Sequence, residues 1–206
     1  MPERRPRRSP LDELILTILS QNTTDVNSFA AFKRLKARFP DWDLVLQADH
    51  EEIVDLIKVA GLGPTKARRI ANVLAEIKKK DPTLEMGFLC TMSLSEGYRY
   101  LTAFPGIGTK TAACVLLFAC DKAAFPVDTH VFRVSRRIGL DAESPTREKM
   151  QAFFEGIVPG KDRYNLHMNL IRLGRMICKA RSPKCDRCFL SSFCSYYQDA
   201  RQESRD

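Results

Sequence analysis

The chain has 206 residues, of which 44% are hydrophobic, and this is enough to fill a core without help from disulfides. Its 33 Lys and Arg exceed its 25 Asp and Glu, and the net charge of +8 favours nucleic acid over an anionic membrane as partner. No stretch approaches the roughly 20 apolar residues of a bilayer span, and the arginine-rich opening MPERRPRRSP lacks the apolar core of a secretory signal. We expect a soluble, intracellular protein without a membrane partner, in which residues 1–10 form a disordered basic arm.

Helical periodicity begins at Ser9 and continues through nearly the whole chain, so the sequence predicts an all-α fold. Ser9 and Pro10 are typical of a helix start, and this first helix is expected to end near Ser20. Further helices are predicted to begin at Asp25, Asp49 and Pro64, and then to cover residues 95–103, 109–119, 129–138, 146–157 and 163–178.

No linker rich in Gly or Ser divides the chain. The helical pattern nevertheless favours two lobes, with the central helices in one lobe and the two ends of the chain in the other. We predict a six-helix, barrel-like lobe at residues 22–130 and a second helical lobe formed by residues 11–21 and 131–206. A DNA-binding cleft between the lobes is expected to hold the chemistry.

A glycine-rich turn separates two predicted helices at residues 104–110, which read FPGIGTK. Gly106 and Gly108 permit positive φ and the close approach of another surface. The second helix begins directly after Gly108, where free N–H groups and the helix dipole favour an anion. The arrangement is a helix-hairpin-helix, and we predict that the turn, with Ile107 and Thr111, binds DNA phosphate. A plain glycine turn between packed helices is the alternative.

The segment AGLGPTKARRI at residues 60–70 echoes PGIGTKTAACV at residues 105–115 in its glycine spacing and in the lysine that follows. The echo indicates a second turn of the same kind. The match is too short for a solenoid repeat.

Lys110 and Asp128 have the chemistry of a covalent catalyst. Lys110 lies in the first turn of a predicted helix, where the dipole and partial burial disfavour the ammonium and therefore favour a nucleophilic amine. Asp128, within PVDTH, precedes Thr129 as a helix cap does. Phosphate neutralisation is the competing role for Lys110, and capping is the competing role for Asp128, although one carboxylate can do both.

Four of the seven cysteines are close in sequence, separated by six, two and five residues: Cys178, Cys185, Cys188 and Cys194. Four thiolates in so short a segment can enclose one metal centre. The wide flanking gaps favour an iron-sulfur cluster over zinc, whose ligands usually come in short pairs, and disulfides are the third alternative. The remaining cysteines are predicted to be core residues: Cys90, Cys114 and Cys120.

These motifs resemble the endonuclease III family of DNA glycosylases. The resemblance covers residues 11–197 and rests on five features: LSQNTTDV at 19–26, AGLGPTKA at 60–67, FPGIGTKTA at 104–112, PVDTH at 126–130 and the cysteine spacing. It implies that Lys110 is the Schiff-base nucleophile. It also implies that Asp128 helps to activate the amine and stabilises positive charge on the sugar, and that the four cysteines hold a [4Fe-4S] cluster.

The resemblance further implies what the protein acts on. Members of the family remove oxidised pyrimidines, such as thymine glycol, from double-stranded DNA and cleave the strand at the abasic site by β-elimination. The target nucleotide must leave the stack, and the resemblance implies that Gln21 or Asn22 fills the vacated space while Leu62 wedges the opposite strand. We expect a monomer in the cytoplasm, associated with the nucleoid, or in the nucleus of a eukaryote.

Two other functions are compatible with parts of this pattern. A monofunctional base glycosylase would use Asp128 to assist the attack of water, but such relatives generally lack the lysine found at position 110. A non-catalytic iron-sulfur protein would bind intact and damaged duplex alike, with strong salt dependence. Lys110 and Asp128 together argue against it, because simple phosphate binding has no need of the pair.

Overall fold

The computed structural model of the protein describes residues 6–140 and 146–203. Within these ranges the chain is helical and contains no β-strand, which confirms the all-α prediction. The helices belong to two compact units, and the chain passes from one to the other between Lys122 and Ala123. None of the helices in this part of the chain is long and apolar enough to span a membrane.

The N-terminal unit contains seven α-helices: α1 (Pro10–Leu19), α2 (Asp25–Arg38), α3 (Trp42–Gln47), α4 (His50–Ile57), α5 (Gly63–Lys80), α6 (Leu94–Thr102) and α7 (Thr109–Phe118). Side chains cap several of their starts. Ser9 Oγ accepts the N–H of Asp12 at 3.1 Å, as its sequence position predicts. Ser93 and Glu96 form a capping box at the start of α6. The six-residue helix α3 was not expected, because its pattern is too short to show a helical period.

Helix α1 forms the centre of this unit. It is apolar on nearly every face, and five of its side chains are fully buried: Leu11, Leu14, Ile15, Ile18 and Leu19. It contacts α7, α2 and α5. Each such side chain contributes about 1.5–3 kcal/mol through burial, so α1 and the helices around it are strongly held together.

The C-terminal unit contains α8 (Thr129–Arg137), α9 (Arg147–Ile157), α10 (Gly160–Met176) and α11 (Ser195–Glu203) among its described residues. Helices α8 and α10 pack against each other. The rings of Phe125 and Phe154 stack at a centroid distance of 4.4 Å. They belong to one apolar cluster with residues from all three of α8, α9 and α10: Val127, Val131, Val134, Met150, Leu170 and Leu173.

The two units differ from the lobes expected from the sequence. Residues 11–21 were assigned to the second lobe, whereas α1 packs within the N-terminal unit, and residues 123–130 belong to the C-terminal unit. A helix that is apolar all round does not reveal which helices will cover it, and this explains the difference. Residues 1–5 of the predicted arm lie outside the described residues, while Arg7 pairs with Asp121 and Arg8 with Glu13.

The prediction that Cys90 and Cys120 are core residues was wrong, because Cys90 is exposed and Cys120 is only half-buried. The two form a disulfide with their Cα atoms 4.7 Å apart. Cys90 ends a 3₁₀ helix, Gly87–Cys90, and Cys120 lies just beyond α7. The chain separation of 30 residues hides this pairing from a reading of sequence spacing. Cys114 is buried in α7 and outside any disulfide, as predicted.

Replacing Cys90 and Cys120 together by Ala should lower the free energy of unfolding by about 3–4 kcal/mol, because the crosslink restricts a loop of about 30 residues in the unfolded chain. Chemical denaturation with and without a reducing agent measures the effect. The double variant should not respond to reductant. A wild-type protein whose midpoint is unchanged by reduction would contradict the disulfide.

Candidate functional site

The predicted hairpin turn joins α6 to α7. Gly106 adopts a φ of +81°, which favours glycine. Ile107 anchors the turn, since its side chain is 4% exposed and its N–H donates to the Phe104 carbonyl at 3.1 Å. Gly108 caps α7 without a side chain, so no capping group covers the first amides of the helix. The turn therefore presents backbone N–H groups and a positive dipole end to an anion.

Thr111 also belongs to the predicted phosphate site, but the residue is only 4% exposed, as is Ile107. Both side chains are therefore buried in the N-terminal unit and are not displayed to solvent at the turn.

Arg69 of α5 reaches the hairpin turn. A Cβ on Gly106 would lie 2.8 Å from Arg69 Nε, so any other residue here would require the Arg69 side chain to move. The Nη1 group of Arg69 also donates to Gln21 Oε1 at 2.5 Å. Arg69 therefore connects the hairpin turn to the segment after α1. Arg69 was not predicted from the sequence, although it lies three residues after Lys66 on the same face of α5, and this spacing was a usable signal.

Lys110 is the second residue of α7 and is half-buried. Thr109 separates it from Gly108, so Lys110 lies in the first turn of the helix, two residues after the uncapped start. This is the location that the sequence predicts for a nucleophilic lysine.

Leu62 lies in the turn that echoes the hairpin. The turn follows a 3₁₀ helix, Lys58–Ala60, and contains Gly61 at a φ of +70°. Leu62 itself adopts a φ of +54°, an uncommon conformation for a residue with a branched side chain. Its side chain is 55% exposed although apolar. Leu62 therefore presents an apolar side chain to solvent from a turn in the left-handed conformation.

Gln21 and Asn22 follow directly after α1. The Gln21 amide is half-buried and accepts the hydrogen bond from Arg69. Asn22 is exposed and has a φ of +53°, which asparagine tolerates better than most residues. The structure thus distinguishes two residues that the sequence left equivalent, because one amide is engaged by a guanidinium and the other extends from the loop.

Asp128 belongs to the C-terminal unit and caps α8. Its Oδ1 accepts the N–H of Val131 at 2.7 Å, and the residue is half-buried. The segment before it is held by His167 of α10, which is 2% exposed and donates from Nδ1 to the Pro126 carbonyl at 2.8 Å. The capping role considered from the sequence is therefore present, and it leaves Oδ2 available for other contacts.

The four clustered cysteines line one cavity in the C-terminal unit, together with apolar residues such as Leu173 and Ile177. None of the four is in a disulfide. Among the described residues, no three His, Cys, Asp or Glu side chains are close enough to hold a single metal ion. A cubane cluster is larger than one ion, and each thiolate binds a different iron, so four thiols around a common cavity fit it.

Four thiolates in the cysteine cavity would be stable only with positive charge among them. Burial raises the pKa of the Cys185 thiol, and the neighbouring thiols of Cys194, Cys178 and Cys188 raise it further, while Arg137 opposes them. Four thiolates around one small cavity repel one another unless cations lie among them. Iron ions supply these cations, so the donor set and its electrostatics fit an iron-sulfur cluster.

Two arginines of α8 attach the cysteine segment to the rest of the unit. Arg133 donates to the carbonyls of Cys178 and Gly174, at 2.9 and 2.8 Å. Arg137 donates to the carbonyls of Lys179 and Ala180, at 2.6 and 3.1 Å. The helix that begins at Asp128 thus also holds the first turn of the cysteine loop.

Comparison with known proteins gives one match over most of the helical chain and another at the cysteine segment. Residues 15–159 match the HhH-GPD superfamily of base excision DNA repair proteins, and residues 178–194 match the iron-sulfur binding domain of endonuclease III. Endonuclease III of Sulfolobus acidocaldarius is 39% identical over 93% of this chain and 84% of its own length. The chain belongs to the endonuclease III family.

Other relatives agree with this assignment. Endonuclease III of Thermotoga maritima is 33% identical over 96% of this chain and 88% of its own length. A solved structure of a trapped endonuclease III–DNA covalent intermediate is 29% identical, with a TM-score of 0.83 over 95% of this chain and 88% of that one. The protein is a base excision repair DNA glycosylase and AP lyase that binds DNA and carries a [4Fe-4S] cluster. The alternative of a non-catalytic iron-sulfur protein is therefore not supported.

Replacing Gly106 by Ala should destabilise the fold by about 1–2 kcal/mol, because alanine is strained at a φ of +81° and its Cβ would displace Arg69. Gly108→Ser is the matched control. Its φ of −88° suits any residue, the added Cβ meets no atom within 4 Å, and serine is a good helix cap. Thermal unfolding monitors both variants, and equal losses of stability would refute the strain at Gly106.

Proposed function

We propose that the protein removes oxidised pyrimidines of the thymine glycol type from double-stranded DNA and cleaves the strand through a Lys110 Schiff base. The observation that carries the proposal is the position of Lys110, half-buried in the first turn of α7 beside an uncapped anion-binding turn. The trapped covalent intermediate described for an endonuclease III supports the same chemistry.

The reaction proceeds by covalent catalysis. The amine of Lys110 attacks C1′ of the damaged nucleotide, and the bond from C1′ to the base breaks with its electron pair leaving on the base. The amine loses a proton and the departing base gains one. Opening of the sugar ring then gives an imine between Nζ and C1′. Loss of the C2′ proton then expels the 3′ phosphate by β-elimination, and hydrolysis of the imine frees the lysine.

Asp128 stabilises the positive charge that develops on the deoxyribose as the base departs, and helps to take the proton from the amine. Its Oδ1 is held by the Val131 N–H, so the carboxylate has a fixed orientation. Capping and catalysis are thus compatible roles for this residue.

The nucleotide must be swung out of the duplex before Lys110 can reach it, at a cost of a few kcal/mol. We assign the filling of the vacated space to Asn22, because the Gln21 amide already accepts a bond from Arg69. Leu62 inserts into the opposite strand, since it is exposed, apolar and rigidly placed. These two contacts offset the lost stacking.

DNA phosphates bind at the hairpin turn, at the uncapped amides that follow Gly108 at the start of α7. A basic surface beside the turn extends this contact, since an open depression is lined by polar residues of α5 together with the turn: Thr65, Arg68, Arg69, Asn72, Pro105 and Gly106. In the C-terminal unit four exposed cations surround the cysteines and bind further phosphates: Lys179, Arg181, Lys184 and Arg187.

The four cysteines hold the [4Fe-4S] cluster: Cys178, Cys185, Cys188 and Cys194. When bound, the cluster crosslinks the loop, and the proposed reaction needs no electron transfer. The loop residues then present their cations to the DNA in fixed positions. We assign the protein a monomeric state and a location with the DNA, on the nucleoid or in the nucleus.

Lys110→Ala should abolish the covalent adduct that borohydride traps between the protein and damaged DNA, because no other residue is assigned to the imine. Wild-type protein should be trapped on single-lesion duplexes containing thymine glycol, dihydrouracil or an abasic site, and should leave uracil in place. Lys79→Ala removes an exposed lysine of α5, paired only with Glu76 in the described contacts, and should leave trapping unchanged. Release of uracil with no adduct would instead indicate a monofunctional glycosylase.

Asp128→Asn should distinguish the helix-capping role of Asp128 from its proposed catalytic role. Asparagine caps helices as well as aspartate does, so the unfolding transition should hardly move. Base release should fall by about 100-fold or more, because the charge opposite the developing cation is lost. Single-turnover rates on a thymine glycol duplex measure this, and an unchanged rate would show that Asp128 only caps α8.

A further inference from the structure

Lys66 is a buried cation that the proposed reaction does not use. It lies in the first turn of α5 and is 2% exposed, although lysine is rarely buried unless paired. Its Nζ donates to two backbone carbonyls, Leu19 O at 2.7 Å and Ala60 O at 2.8 Å. Burial lowers the pKa of Lys66, and the nearby charge of Arg69 lowers it further. The two hydrogen bonds offset the unfavourable burial of this amine.

The two carbonyls belong to the segments that carry the proposed DNA-inserting residues. Leu19 ends α1 and precedes the loop that contains Gln21 and Asn22. Ala60 ends the 3₁₀ helix and is two residues before Leu62. Both carbonyls lie at the carboxyl ends of helical segments, where partial negative charge favours a cation. One amine therefore ties the start of one loop to the start of the other.

Both segments contain a strained residue just beyond this tie. Asn22 and Leu62 have φ values of +53° and +54°, which persist only when the surrounding structure enforces them. Residues in this conformation aim their side chains differently from residues in an ordinary turn. The left-handed conformation of Asn22 and Leu62 can be enforced only if the start of each loop is held in place.

We propose that Lys66 is a positioning residue that fixes the Gln21–Asn22 loop and the Leu62 turn relative to each other, so that gap filling and strand wedging occur together. The inference rests on the proposed function. It also separates the two lysines of the echoed motifs: Lys110 presents its amine to substrate, whereas Lys66 turns the same group inward onto backbone carbonyls. Lys66 acts only through the loops and does not touch the DNA.

The test uses Lys66→Met, which keeps the length of the side chain and removes both donated hydrogen bonds. Base release should fall about 10- to 100-fold on a fully paired thymine glycol duplex, as expected when reacting groups are misplaced by about 1 Å. The loss should be clearly smaller on a duplex that lacks the nucleotide opposite the lesion, because no strand has to be wedged there. Equal losses on both substrates would overturn the proposal.

Lys58→Met is the matched control, since Lys58 belongs to the same 3₁₀ helix but is exposed and pairs with Asp55. It should act like wild type on both duplexes. A Lys58→Met profile that matches Lys66→Met would reduce the effect to a loss of surface charge and contradict the proposal.

A double-mutant cycle measures the coupling between Lys66 and Leu62, which a purely structural role of Lys66 would not produce. If Lys66 acts through Leu62, the effects of Lys66→Met and Leu62→Ala on base release from the paired duplex should be strongly non-additive. Independent, multiplicative losses would overturn the proposal. Thermal unfolding and the visible absorbance of the cluster confirm that each variant is folded.

If Lys66→Met does not fold, Lys66→Gln keeps an amide donor for one carbonyl and is measured on the same two duplexes, with the same outcomes deciding. Wild-type activity separates this inference from the proposed function. A wild-type protein that neither releases a base nor forms an adduct overturns both, whereas an active wild type with a substrate-independent effect at Lys66 overturns the inference alone.

Discussion

The packing of α1 against α7 is the constraint on which the N-terminal unit depends. Both helices are buried along most of their length, so neither can shift without opening the core. Their ends nevertheless carry the polar residues of the site, with Gln21 and Asn22 just after α1 and Lys110 at the start of α7. A rigid apolar pair of helices thereby holds the proposed reactive and inserting residues at fixed places, which is a general requirement for positioning a substrate.

Helix α5 supplies the polar contacts that hold the loops of the proposed site, which the apolar core does not provide. From one face of this helix Arg69 contacts Gln21 and approaches Gly106, while Lys66 bonds to the segments before Asn22 and Leu62. Residues three apart on a helix lie side by side, so both contacts come from one short stretch of chain. The loops of the site are therefore held by directional hydrogen bonds, although loops in general are mobile.

The C-terminal unit has a comparable arrangement around α8. Asp128 caps the first turn of this helix, and Arg133 and Arg137 bind carbonyls at the start of the cysteine segment. The packing of α8 against α10, with the stacked rings of Phe125 and Phe154, gives these contacts a firm base. A cluster that fixes the cysteine loop also restrains the helix to which that loop is bonded.

Much of this was predictable from the sequence, because the relevant signals are local. Helical periodicity and the start signals at Ser9 and Asp25 place the first helices, glycine spacing places the hairpin turn, and the four-cysteine spacing indicates the metal centre. The position of Lys110 in a first turn and of Asp128 at a cap follow from the same patterns. Short elements such as α3 escaped prediction, since six residues do not reveal a period.

The tertiary structure alone decided the long-range relations. It placed α1 in the N-terminal unit, paired Cys90 with Cys120, engaged Gln21 with Arg69 and buried Lys66 between Leu19 and Ala60. Each of these contacts joins residues that are distant in the chain or depends on which face of a helix is covered. The sequence by itself determined the helices, the turn and the reactive residue types, because these depend on neighbouring residues. Their partners depend on three-dimensional packing, which no local pattern encodes.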